Sequence, residues 1–157
     1  MKSATVNEIK GELKHKQGAE LLEMCLRLSK FKKENKELLT YLLFEASNET
    51  AYIEKVKEEI QSQFQVINTS TYYFIKKSVR KILRITRKYI RYSGKKKTEV
   101  ELLMFFCAEL KNMNPSYKGN LALANLFNRQ IEALKKTIST LHEDLQYDFN
   151  LELEELE

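Results

Sequence analysis

Residues 76–97 read KKSVRKILRITRKYIRYSGKKK, and the order of basic and apolar residues in this stretch suits a helix with two committed faces. Advancing about 100° per residue from Ile75, the side chains of Lys76, Lys77, Arg80, Lys81, Arg84, Arg87, Lys88 and Arg91 fall between roughly 100° and 240°. Val79, Ile82, Leu83, Thr86, Tyr89 and Ile90 occupy the opposite arc. One face therefore has a core to join and the other presents cations to water. Asn68 to Thr71 supply a turn and cap before this helix, and Ser93-Gly94 supplies its stop. Lys95, Lys96 and Lys97 extend the positive charge past it.

A solvated face ordinarily mixes both signs, because Glu–Lys pairs four residues apart are each worth a few tenths of a kcal/mol and like charges cost about the same. Here no acidic residue occurs between Ile60 and Thr98. Without the eleven cations of 76–97, sixteen basic residues would face twenty-two acidic ones, a net of −6 in place of the +5 of the whole chain. The positive charge is local.

The other segments also read as helices, in keeping with only four glycines and one proline in 157 residues. Thr5-x-x-Glu8 has capping-box spacing and opens a first helix running to about Leu13, with Gly18 as a break. Leu21, Leu22, Cys25, Leu26 and Leu28 carry a second helix to about Lys30. The KFKKENK run is a polar turn before ELLTYLLFEA, which is apolar on most sides and is expected at the centre. Asn48 caps a fourth helix with Tyr52, Ile53, Val56, Ile60 and Phe64 at helical spacing.

After the basic helix, Thr98-x-x-Glu101 has the spacing of a second capping box, opening the apolar segment EVELLMFFCAEL that ends before Asn114-Pro115. From Asn120, residues Ala124, Phe127, Ile131, Leu134, Ile138, Leu141 and Leu145 alternate spacings of three and four, a three-heptad seam that wants a partner helix. Lys32–Phe44 and Lys96–Phe106 align at an offset of 64, which favours layered helix pairs. The fold expected is all-α: one helical domain over residues 1–147 with six or seven helices in layered antiparallel pairs. It ends in a long heptad helix and an acidic tail, 148–157.

Two cysteines in apolar helical runs, Cys25 and Cys107, read as buried reduced thiols. His15 and His142 have no His, Cys or carboxylate at metal-ligand spacing and read as surface residues. The dense carboxylates, Glu58-Glu59 and Glu152-Glu154-Glu155, have no opposing pair that would make an acid–base site. No phosphate-binding glycine loop is present. The sequence therefore assigns no catalytic residue, metal or cofactor. The longest apolar run, Leu102–Ala108, is far short of a membrane span, and a cytoplasmic protein without a membrane partner is expected.

The order of a short leading helix, the segment ELLEMCLRLSKFKK, an acidic-basic outer helix and KKSVRKILRITRKYI resembles uncharacterised bacterial all-helical families of the domain-of-unknown-function kind. That resemblance implies an all-helical fold and lends nothing to function.

Binding is thus the expected function, with two kinds of partner. The first is protein. Residues 143–157 carry seven acids and no base and could answer the basic helix, with Phe149, Leu151 and Leu153 alternating as in an extended segment laid along a groove. The seam residues Phe127, Ile131, Leu134, Ile138 and Leu141 could instead join a second copy as a homodimer. The alternative partner is nucleic acid or another polyanion, held by the cations of 76–97, with Tyr72, Tyr73 and Tyr92 at the helix ends available to stack on unpaired bases.

Overall fold

The computed structural model describes all of residues 1–157 and is entirely helical. Eight α-helices follow one another: α1 (Val6–Leu13), α2 (Gly18–Phe31), α3 (Lys33–Thr40), α4 (Glu49–Gln65), α5 (Tyr72–Ser93), α6 (Lys96–Asn112), α7 (Leu121–Ile138) and α8 (Glu143–Leu156). A π-helical turn, Tyr41–Glu45, continues α3, and a 3₁₀ turn, Tyr117–Gly119, precedes α7. No strand forms, and no helix is long and apolar enough to cross a membrane. The chain divides into two compact units, Met1–Phe44 and Glu45–Glu157.

In the first unit the Thr5–Glu8 capping box is formed. The Glu8 amide donates to Thr5 Oγ1 at 3.3 Å and the Glu8 carboxylate accepts from the Thr5 backbone at 2.7 Å. Hydrogen bonds from Thr5 hold the Glu8 carboxyl below its usual range. Gly18 does not end a helix but begins α2. The polar turn expected at KFKKENK shrinks to Lys32 alone, the extended residue between α2 and α3. Asn35 Nδ2 closes that corner by donating to Leu28 O at 2.9 Å. α2 and α3 pack on each other, yet no residue of α1, α2 or α3 is buried. Leu38, Leu42, Leu43 and Phe44, expected at the centre of the protein, are exposed, and so is Cys25. A helix pair has only one seam, so side chains distributed around both helices cannot all turn inward.

The second unit is built around α6, which packs against α4, α5, α7 and α8. Val100, Leu102, Leu103, Phe106, Cys107 and Leu110 are fully buried and share one broad face of the helix, an arc of about 160° at about 100° per residue. Burying each of the larger apolar side chains is worth about 1.5–3 kcal/mol. Burial also pushes the Cys107 thiol up to about 12. On α4 the expected Tyr52, Ile53, Val56 and Ile60 are buried under an Asn48 cap, whose Oδ1 accepts from the Ala51 amide at 3.1 Å.

Three features of this unit differ from the expectation. Thr98 is not a cap: α6 has already begun, and the buried Thr98 hydroxyl donates to Glu49 at 2.6 Å. The heptad helix is two helices. α7 stops at Ile138, where Ser139 and Thr140 donate their hydroxyls to Lys136 O and Thr137 O, both at 2.7 Å. Finally, residues 148–157 are not extended. Phe149, Leu153 and Leu156 are buried on one face of α8, and Leu151 is exposed. The spacings of four and three prevail over the alternation because they seat α8 on α6 and α7.

Candidate interaction surfaces

The inner face of α5 is fixed before its outer face can matter. Ile75, Val79, Ile82 and Thr86 are buried, and Thr86 satisfies its hydroxyl by donating to Ile82 O at 2.9 Å. Thr71 caps the start by accepting from the Phe74 amide. Gly94 ends the helix with φ 68°, a left-handed conformation that glycine adopts without strain, and donates its amide to Ile90 O at 2.9 Å. Two tyrosines join α5 to α4: Tyr52 donates to Tyr89 O at 2.8 Å and Tyr89 donates to Glu59 at 2.7 Å. Beyond the helix end, Glu49 accepts from Ser93, Thr98 and Lys95. Both caps and both tyrosines bear on the rotation of α5, and so on where its cations point.

The eleven candidate cations then separate into groups. Lys77, Arg80, Lys81, Arg84 and Arg91 are exposed, Lys76 is half-buried beside them, and none of the six forms an ion pair. Lys76, Lys77, Arg80, Lys81 and Arg84 line an open groove of about 770 Å³ together with Tyr73 and Ser78. Arg87 turns sideways and donates to the side chain of buried Gln130 on α7. The Lys88 ammonium lies 5.0 Å from the centre of the Tyr89 ring and 6.0 Å from that of Tyr92. Lys95 pairs with Glu49 at 3.3 Å and Lys97 with Glu101 at 3.7 Å, while Lys96 is exposed.

The acidic end of the chain does not answer these cations. α8 packs on α6 and α7, Glu157 pairs with Lys135, and Lys111 donates to Glu155 O at 2.7 Å. The hydrogen bond that Lys135 donates to Glu157 raises the Lys135 pKa. Glu59, one of the dense carboxylates, serves structurally as the acceptor for Tyr89 and, at 3.2 Å, for Gln63. The seam residues fare similarly: Phe127, Ile131, Leu134 and Ile138 are buried inside the second unit, and Leu141 is half-exposed beyond the end of α7. Four of the five thus have no surface to offer a second copy.

A second surface, which the sequence reading missed, lies on the first unit. Of nineteen large apolar residues exposed on the whole protein, thirteen belong to Met1–Phe44. Cys25, Leu28, Leu38, Leu39 and Leu42 border an apolar groove of about 200 Å³, and Leu22, Phe31, Leu43 and Phe44 project as exposed side chains of the same unit. The signal available in advance was that LLEMCLRL is apolar around more of its circumference than one neighbouring helix can cover. In comparisons with known proteins, the chain matches no protein-family model, no curated protein and no solved structure.

Proposed function

We propose that the chain is a non-catalytic binding module that self-associates through its N-terminal unit. The observation that carries this reading is the concentration of exposed apolar side chains in α1–α3, three helices with no buried residue. Exposed apolar surface of this density marks an interaction site. A second copy fits because a two-fold interface needs projections and a recess on the same surface. Leu22, Phe31, Leu43 and Phe44 are the projections and the Leu28–Leu38–Leu42 groove is the recess. Sedimentation velocity across a concentration series is expected to show a dimer. The double variant Leu28→Lys/Leu42→Lys is expected to be monomeric with an unchanged circular dichroism spectrum, since both positions are exposed. A monomer at every concentration, or a variant that dimerises as well as the parent, would overturn the reading.

The outward face of α5 favours a second reading, polyanion binding. Six cations without a carboxylate partner, on a helix whose own stability would have gained from mixed charge, are arranged for phosphate groups supplied from outside.

A further inference from the structure

We propose that the cationic face of α5 binds single-stranded nucleic acid, with Tyr73 as the ring on which a base stacks. This rests on the polyanion reading and gives it a ligand class. Counting back about 100° per residue from Ile75 puts Tyr73 at about 160°, inside the arc held by Arg80, Arg84 and Lys77. The ring is therefore in line with the cations, and it borders the groove they line. Tyr73 is 66% exposed, with the Phe74 ring edge-on to it at 5.4 Å.

The other two tyrosines at the helix ends are already engaged. Tyr72 donates its hydroxyl to Ser116 O at 2.9 Å and is half-buried, and the half-buried Tyr92 ring lies 6.1 Å from Tyr89 with Lys88 beside it. Tyr73 alone of the three offers an open ring on the cationic face.

Charge and geometry together favour a single strand over other polyanions. Steps of four residues from Lys76 to Arg80 to Arg84 rise about 6 Å each, a repeat comparable with that of an extended sugar–phosphate strand. A base-paired duplex keeps its bases stacked on one another and has no free base face for Tyr73, whereas a single strand supplies phosphates and bases side by side. An anionic membrane would need apolar side chains to insert, and those of α5 at Ile75, Val79 and Ile82 are committed to the core. The outward arc holds no Asn or Gln to read base edges, so binding should tolerate many sequences.

The test uses the full chain and fluorescence anisotropy with a labelled oligothymidylate, a duplex of the same length and heparin, each over a salt series. The oligothymidylate is expected to bind, weakening as salt rises. Arg80→Gln/Arg84→Gln should reduce the salt slope by about 1.4, two contacts at roughly 0.7 each. Tyr73→Ala should weaken oligothymidylate binding about 5- to 100-fold with the slope unchanged, and Tyr73→Phe should restore it, because stacking uses the ring and not the hydroxyl. Circular dichroism verifies that each variant is folded. If heparin binds through Arg80 and Arg84 while Tyr73→Ala leaves the oligothymidylate unaffected, or if the duplex binds as tightly as the single strand, this proposal falls and the polyanion reading stands. If neither heparin nor oligothymidylate binds at low salt, both fall.

Discussion

Glu37-Leu38-Leu39, late in α3, and Glu101-Leu102-Leu103, in the first half of α6, are the same three residues, and their leucines meet different fates. Leu102 is 0% exposed in the middle of the second unit, while Leu38 is 38% exposed on α3. The triplet itself cannot account for this, because it is identical. The difference lies in the number of neighbours: α6 is surrounded by four helices, and within its unit α3 has one helix packed on it, α2. An apolar residue becomes core when elements exist to enclose it; otherwise the same residue stays exposed at the surface.

The sharpest way to break this comparison is to place the same charge at both leucines. Leu102→Asp buries a carboxylate with no partner, at a penalty of several kcal/mol in a domain whose total stability is about 5–15 kcal/mol. Leu38→Asp should change stability by about 0.5 kcal/mol or less, as expected of a surface substitution. Thermal melts should show the first variant largely unfolded and the second close to the parent. Equal losses would mean that the two units do not differ in the way described.

A gentler probe uses the two cysteines, one in each unit. Cys25 is exposed, and Cys107 is fully buried with its thiol pushed up to about 12. Since the thiolate is the reactive form and a buried thiol reacts only when the structure opens, a thiol-specific reagent should modify Cys25 at least about 1,000-fold faster than Cys107. Mass spectrometry of the native protein should therefore find one label, and of the denatured protein two. Comparable rates would contradict a closed second unit.

The smallest effect concerns the helix caps. Thr71→Ala removes the acceptor at the start of α5 and should lower the stability of the second unit by about 1 kcal/mol. Thr5→Ala, which removes the matching group from α1, should leave the main thermal transition where it is, because nothing in α1 is buried. A shift of the same size in both would join the two units into one cooperative structure.

What could be read in advance followed from locality. The two faces of α5, the caps at Thr5, Asn48 and Thr71, the Gly94 stop and the burial of Leu102, Leu103, Phe106 and Cys107 all rest on residues within a few positions of one another. What escaped was decided at a distance or by competition. Thr98 matched a capping box, but its hydroxyl found Glu49, forty-nine positions away. Phe149, Leu151 and Leu153 suit a period of two, and Leu145, Phe149 and Leu153 suit a helix equally well; only the presence of α6 and α7 decides between them. The exposure of Leu38, Leu42, Leu43 and Phe44 depends on the small number of helices packed on α3, which no local pattern encodes. For the cationic surface, the sequence named the cations, but not that Arg87, Lys88, Lys95 and Lys97 have side-chain partners within the protein.

α5 is held by Ile75, Val79, Ile82, Thr86 and its two tyrosine bonds, and none of these residues belongs to the outward set Lys77, Arg80, Lys81 and Arg84. Inheritance can therefore act on the two sets separately. Substitutions among the outward four create no cavity and strand no buried polar group, so each should change folding by no more than about 0.5 kcal/mol while altering the charge of the face. A lineage carrying this chain can vary the charge of this face through a series of intermediates that all fold, with the Gly94 stop and the buried threonine passed on unchanged.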